Sequence, residues 1–166
     1  GCLIVRPAFQ GVFDDHEYPV TLDKLMKTLG ATVVDYPMKA HCCGGHMTQI
    51  SQSTGLELIR QLLQNAVDNQ ADVIVTLCPM CQLNLDAYQN DVNKFFKTNF
   101  KIPILYFTQV MGLAMGIPAA ELGIGKEFID ARPALAKIGV EVPEPEALKK
   151  KPSKEALPMP RMPEEE

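Results

Sequence analysis

The six residues Asp72-Val-Ile-Val-Thr-Leu77 run directly into Cys78-Pro-Met-Cys81, and few folds accommodate that junction. A near-continuous apolar run of this length is the pattern of a strand buried on both faces, as in a parallel sheet covered by helices. Pro79 suits the first turn of a helix, because the N–H it lacks has no intrahelical partner there. The stretch therefore predicts a strand, a tight turn and a helix. Cys78 and Cys81 then lie at the carboxyl end of the strand, where sites of parallel sheets form. They also lie at a helix N-terminus, whose free N–H groups and dipole favour a thiolate or another anion.

The flanking sequence alternates in the same way. Residues 2–5 read as a strand stopped by Arg6-Pro7, and residues 9–18 as an irregular loop with solvated Asp14, Asp15 and Glu17. Residues 21–29 carry Leu22, Leu25, Met26 and Leu29 at helical spacing, and Gly30 ends that helix. Residues 31–35 predict a second strand, closed by Pro37. Thr54-Gly-Leu-Glu57 fits a capping box, continued by Leu56, Ile59, Leu63 and Ala66. Leu83, Leu85 and Tyr88 extend the helix beyond Cys81, and residues 91–96 predict another. Residues 102–106 make a fourth strand and residues 107–115 a helix. Shorter helices are expected over residues 119–122, 126–130 and 133–138. Met26, Met111 and Met115 read as core. Strands alternating with helices predict an α/β fold, a small parallel sheet flanked by helices with right-handed crossovers. The cysteine cluster falls at strand ends and loops. Residues 139–166 hold 6 of the 13 prolines, no aromatic residue and the like-charge runs Lys149–Lys151 and Glu164–Glu166. Such a segment buries too little apolar surface to offset chain entropy. The domain is therefore set at residues 1–138, with a disordered or partner-wrapping Pro-rich tail over 139–166.

A net charge of −4 without a clustered basic face argues against nucleic acid. No apolar run approaches the roughly 18–20 residues of a membrane span, and no secretory leader is visible. The start at Gly1, one residue before the first cysteine, is expected of a piece of a longer polypeptide. All five cysteines, Cys2, Cys42, Cys43, Cys78 and Cys81, fall in the first half. An odd, clustered set without a leader points to metal or redox chemistry in a reducing, cytoplasmic compartment. In His41-Cys-Cys-Gly-Gly-His46 the adjacent thiols make a poor disulfide. Gly44 and Gly45 permit positive φ, so the loop can turn both thiols toward one centre. Cys2 opens its predicted strand, so four of the five thiols follow the strand-end rule. Arg6, Lys39, His41 and His46 are available to offset negative charge, although Lys39 equally suits an ordinary surface position. Four readings compete: an iron–sulfur cluster, structural zinc with one cysteine spare, a thioredoxin-like dithiol at Cys78 and Cys81, and reduced thiols packed as small apolar residues. The combination of Cys-x-x-Cys, Cys-Cys and a further cysteine speaks against the last.

The order Cys2, Cys42-Cys43-Gly44, Cys78-Pro79-Met80-Cys81 resembles the cysteine-rich CCG domain, with its Cys, long gap, Cys-Cys-Gly, second long gap and Cys-x-x-Cys. "GCLIVRP", "LDKLMKTLGATVVDYPMKAHCCGG", "CPMCQLNLDAYQ" and "IPILYFTQVMGLAMG" are similar to the carboxyl-terminal half of the heterodisulfide reductase B subunit, over roughly residues 1–138. The resemblance implies a noncubane [4Fe-4S]-type cluster, with Cys2, Cys42, Cys43, Cys78 and Cys81 as its ligands. It implies reduction of a disulfide, such as that of coenzyme M and coenzyme B, by cluster-mediated electron transfer. Electrons would come through the iron–sulfur and flavin subunits of a heterodisulfide reductase-like complex. The family has two CCG domains where this chain has one repeat, so a second CCG domain is an expected partner, on the same or another chain. The rival expectation is a zinc-stabilised structural or docking module of a larger redox assembly.

Overall fold

The computed structural model describes residues 14–142 and 144. Thr21–Thr28 (α1), Met47–Ile50 (α2) and Gln52–Asp68 (α3) precede strand Ile74–Thr76 (β1). Pro79–Ala87 (α4) and Gln89–Phe96 (α5) connect it to Ile104–Tyr106 (β2), and Phe107–Ala114 (α6) and Arg132–Leu135 (α7) follow. The two strands pair in parallel, with Ile74 opposite Ile104, Val75 opposite Leu105 and Thr76 opposite Tyr106. The fold is α/β, a small parallel sheet flanked by helices.

Successive strand side chains point to opposite faces, and the sheet divides two apolar clusters accordingly. Ile74 and Ile104 join Leu56, Ile59, Leu63, Leu85 and Val92 on one side. Leu105 joins Ile124, Ala131 and Leu135 on the other, with Val73 packed against them. Both faces are dry, which is why the strands carry consecutive apolar residues. The long helix α3 buries Leu56, Ile59, Leu62, Leu63 and Ala66, a stripe at helical spacing. Gly55 lets α2 lie against it: a Cβ there would stand 2.7 Å from the Thr48 nitrogen.

The chain entering β2 is tied to α5 by two amides one helical turn apart. Gln89, wholly buried, donates to the Ile102 carbonyl at 2.7 Å and accepts the Ile102 N–H at 3.1 Å. Asn93 does the same for Phe100, at 2.9 and 2.7 Å. Side chains at i and i+4 share a helix face, so they meet alternate residues of an extended chain and replace a missing neighbour strand.

Helix α1 ends as expected. Gly30 has φ +91°, and the N–H groups of Gly30 and Ala31 reach back to Lys27 and Met26, a Schellman closure. Several other expectations need correction. Residues 31–35 carry no regular structure and lie in no ladder among the described residues, and Ala31, Thr32 and Asp35 are exposed. The ladder of β1 covers three residues of the six expected, and that of β2 three of five. No capping box forms at Thr54 and Glu57: α3 starts at Gln52, Ser51 and Thr54 bond through their hydroxyls, and Glu57 is engaged by Arg60. One half of such a device occurs at α6, where Gln109 Oε1 accepts the Tyr106 N–H at 2.8 Å. Residues 119–122 form turns, and residues 126–130 form no helix. There the buried Asp86 carboxylate takes the N–H groups of Phe128 and Ile129, each at 2.9 Å. Met26 is core, whereas Met115 is 67% exposed.

Val140 and Val142 pack against the Leu105 cluster. The rest of the tail expected from residue 139 lies outside the described residues, apart from Gly139, Glu141 and Glu144. The strand expected at residues 2–5, with Cys2 and Arg6, also lies outside them. No helix among the described residues is long and apolar enough to cross a membrane.

Candidate metal centre

Cys78 sits in extended conformation immediately before α4, with Pro79 in the helix's first turn, as the sequence predicts. The corner is braced from the neighbouring strand: the Tyr106 hydroxyl donates to the Leu77 carbonyl at 2.7 Å. Cys81, one turn into α4, packs against the cluster that contains Cys43. The 41–46 loop delivers Cys43 from the opposite side. Gly44 and Gly45 have φ of +92° and +51°, a backbone that side-chain-bearing residues adopt only at a cost. The turn carries Cys43 inward to 4% exposure while Cys42 stays at the surface.

Asn84, 2% exposed, closes the site. It lies three residues beyond Cys81, on the same face of α4. Its Nδ2 donates to the Gly45 carbonyl at 2.7 Å and the Cys43 carbonyl at 3.3 Å, and stands 3.8 Å from Cys43 Sγ. The Cys81 thiol hydrogen-bonds to the Cys43 sulfur and holds Cys43 well below the usual thiol range, against the opposing effect of burial; the Gly45 N–H and the Asn84 amide add to the lowering. Cys81 moves the opposite way, pushed up by that same bond, by burial and by the charge of Cys43 and Cys78. The pair thus favours one thiolate, on Cys43, with the proton kept on Cys81.

The structure thus sets Cys81 between Cys43 and Cys78 as pairwise neighbours, with Cys42 exposed next to Cys43 in the chain and Cys2 outside the described residues. Among the described residues, no three Cys, His, Asp or Glu side chains are gathered as ligands of one metal ion. The donor set itself fits a thiolate-bound centre, since soft sulfur ligands suit iron–sulfur clusters and zinc. His41 and His46 flank the loop, both exposed. Lys39 is not an ordinary surface lysine: its ammonium pairs with Asp23 at 2.6 Å and lies 3.5 Å from the centre of the Tyr18 ring, with its side chain 12% exposed. It joins the turn before the loop to α1. Asp14 is likewise more than a solvated acid, accepting the N–H groups of Val20 and Thr21 at the start of α1. Asn84 and Tyr106 escaped the sequence reading. A trace of Asn84 is visible there, as a weak helix former set between Leu83 and Leu85 on a helix that begins with two cysteines.

These features define a thiol-rich α/β module in which the inward-turned Cys43 neighbours Cys81, just beyond the carboxyl end of a parallel strand. The CCG family model, described as a cysteine-rich domain, matches residues 1–86, a span that includes all five cysteines. The chain belongs to the CCG cysteine-rich domain family. It is 36% identical over 140 residues to the B subunit of the ferredoxin/F(420)H(2)-dependent CoB-CoM heterodisulfide reductase of Methanosarcina acetivorans, covering 83% of this chain and 47% of that one. It is 37% identical over 131 residues to the membrane anchor subunit of the 8-methylmenaquinol:fumarate reductase of Wolinella succinogenes, covering 79% and 46%. A protein of Archaeoglobus profundus that is like the heterodisulfide reductase B subunit is 34% identical over 122 residues, covering 70% and 40%. The chain spans just under half the length of the first two of these curated relatives.

Proposed function

We propose that this chain is the iron–sulfur module of a heterodisulfide reductase-like oxidoreductase. Cys2, Cys42, Cys43, Cys78 and Cys81 would hold a noncubane [4Fe-4S]-type cluster. When bound, that group supplies single electrons for reduction of a disulfide, of which the CoB-CoM heterodisulfide in the relatives' names is the example. The observation that supports the reading is that the Cys-Cys-Gly loop turns Cys43 inward against Cys81, which follows Cys78 at the head of α4. This chain's own residues do the positioning. Gly44 and Gly45 turn Cys43 inward, Asn84 holds the loop, and Tyr106 fixes the peptide that precedes Cys78. Cys43 would hold the group from the dry core, and exposed Cys42 would hold it from the surface, where a disulfide could arrive. An iron–sulfur subunit, a flavin subunit and a second CCG domain would complete a cytoplasmic complex.

The 37% identity to the anchor of an 8-methylmenaquinol:fumarate reductase favours a second reading. In that reading the same centre passes electrons between a quinol-linked partner and a reductase, with no disulfide substrate. Iron, zinc and acid-labile sulfide in the anaerobically purified chain test the centre. Several irons with matching sulfide, in a brown protein, are expected. A single zinc without sulfide overturns the cluster and leaves a structural zinc module. Reoxidation of the chemically reduced chain by a disulfide or by a quinone analogue then separates the two readings.

A further inference from the structure

We propose that Asn84 is the positioning residue of this centre: its amide latches the 41–46 loop onto α4 and donates an N–H to the Cys43 sulfur. A buried polar side chain is costly unless its hydrogen bonds are made, and asparagine is a weak helix former. At a 2%-exposed position within α4, beside the buried Leu85, a leucine would serve packing better. The amide is instead aimed at three acceptors, the Gly45 carbonyl at 2.7 Å, the Cys43 carbonyl at 3.3 Å and the Cys43 sulfur at 3.8 Å. All three accept, so the –NH₂ end must face them. One group therefore grips both ends of the Cys43–Gly45 turn and touches the sulfur between them. Its place one turn after Cys81 links the two thiol-bearing segments through a single side chain.

Two consequences can be measured separately. The latch concerns the chain alone. The contact with sulfur bears on the electron-carrying group and rests on the cluster reading. There, an N–H directed at a ligand sulfur stabilises the added negative charge of the reduced form, and so raises the reduction potential.

The experiment compares the full chain with its Asn84→Leu and Asn84→Gln variants. In the metal-free chain, alkylation of Cys43 by iodoacetamide is followed by peptide mass spectrometry, with exposed Cys42 as the internal standard. Cys43 should react far more slowly than Cys42, and Asn84→Leu should raise the Cys43-to-Cys42 rate ratio about tenfold or more. Asn84→Gln, which keeps the amide, should restore part of the protection. An unchanged ratio in Asn84→Leu overturns the latch. In the iron-loaded chain, a dye-mediated redox titration should show Asn84→Leu retaining iron at a more negative midpoint. A tenfold change in the equilibrium corresponds to 59 mV for one electron. An unmoved midpoint with normal iron content overturns the contact with sulfur. If the unaltered chain takes up no iron, the proposed function fails, and with it the contact with sulfur, while the alkylation ratio still decides the latch. If Asn84→Leu does not fold by circular dichroism, Asn84→Ser carries the same comparisons.

Discussion

Asp14 illustrates how little of a residue's role is visible in its type. In sequence it belongs to an acidic loop. In the structure its carboxylate accepts the N–H groups of Val20 and Thr21, donors that a helix start leaves without partners. Burial pushes the carboxyl up, but those hydrogen bonds outweigh it and hold Asp14 at about 2. A carboxylate lowered in the folded state contributes stability that is present above its unfolded value of about 4, and this contribution is lost as pH falls toward the folded one. Asp14→Asn should therefore melt below the unaltered chain at neutral pH, and the gap should close between about pH 4 and pH 2. Thermal melts across that range check it; a gap independent of pH would show that the carboxylate's charge is not what α1 uses. Cys42 and Cys43 teach the same lesson. Nothing in two adjacent letters says which is buried, and the glycine turn decides it.

At the scale of elements, helices were more legible than strands. Helix periodicity is written within a single segment, so α1, α3 and α6 emerge from Leu22, Leu25, Met26 and their counterparts. A strand exists only with its neighbour, so the valines of residues 31–35 predict a ladder that the described fold does not build. Amides of α5 replace such a neighbour at residues 100 and 102, an arrangement that no local propensity announces. The crossing of α2 over α3 is equally tertiary, and it depends on Gly55. Gly55→Ala would force its Cβ against the Thr48 backbone and should destabilise the chain by about 1–3 kcal/mol. A urea midpoint lowered with an unchanged slope would establish this, whereas an unchanged midpoint would show that α2 yields at little cost.

At the scale of the whole molecule, the two apolar clusters on either side of the sheet carry the fold, and Cys43 is the only described thiol that is a buried member of either. Chelation of iron under anaerobic, reducing conditions should therefore leave helical circular dichroism and a cooperative melt largely intact. A module held together by structural zinc would behave otherwise, because metal binding and folding are then one event. Collapse of the signal on metal removal would favour that rival. The CCG relationship fits this division: the match covers residues 1–86, while β2, Gln109 and the Leu105 cluster supply the other half of the scaffold.

The sequence by itself determined the elements with internal periodicity, the placement of Cys78 and Cys81 at a strand–helix junction, and the family, because each is written in near neighbours or fixed spacings. Tertiary structure alone decided which of two adjacent thiols is buried, that Asn84 bridges the loop and α4, and that Asp86, Gln89 and Asn93 bond chain segments instead of solvent. Those outcomes depend on distant backbone groups left without partners in a dry interior, and a buried donor or acceptor must find one wherever the fold brings it.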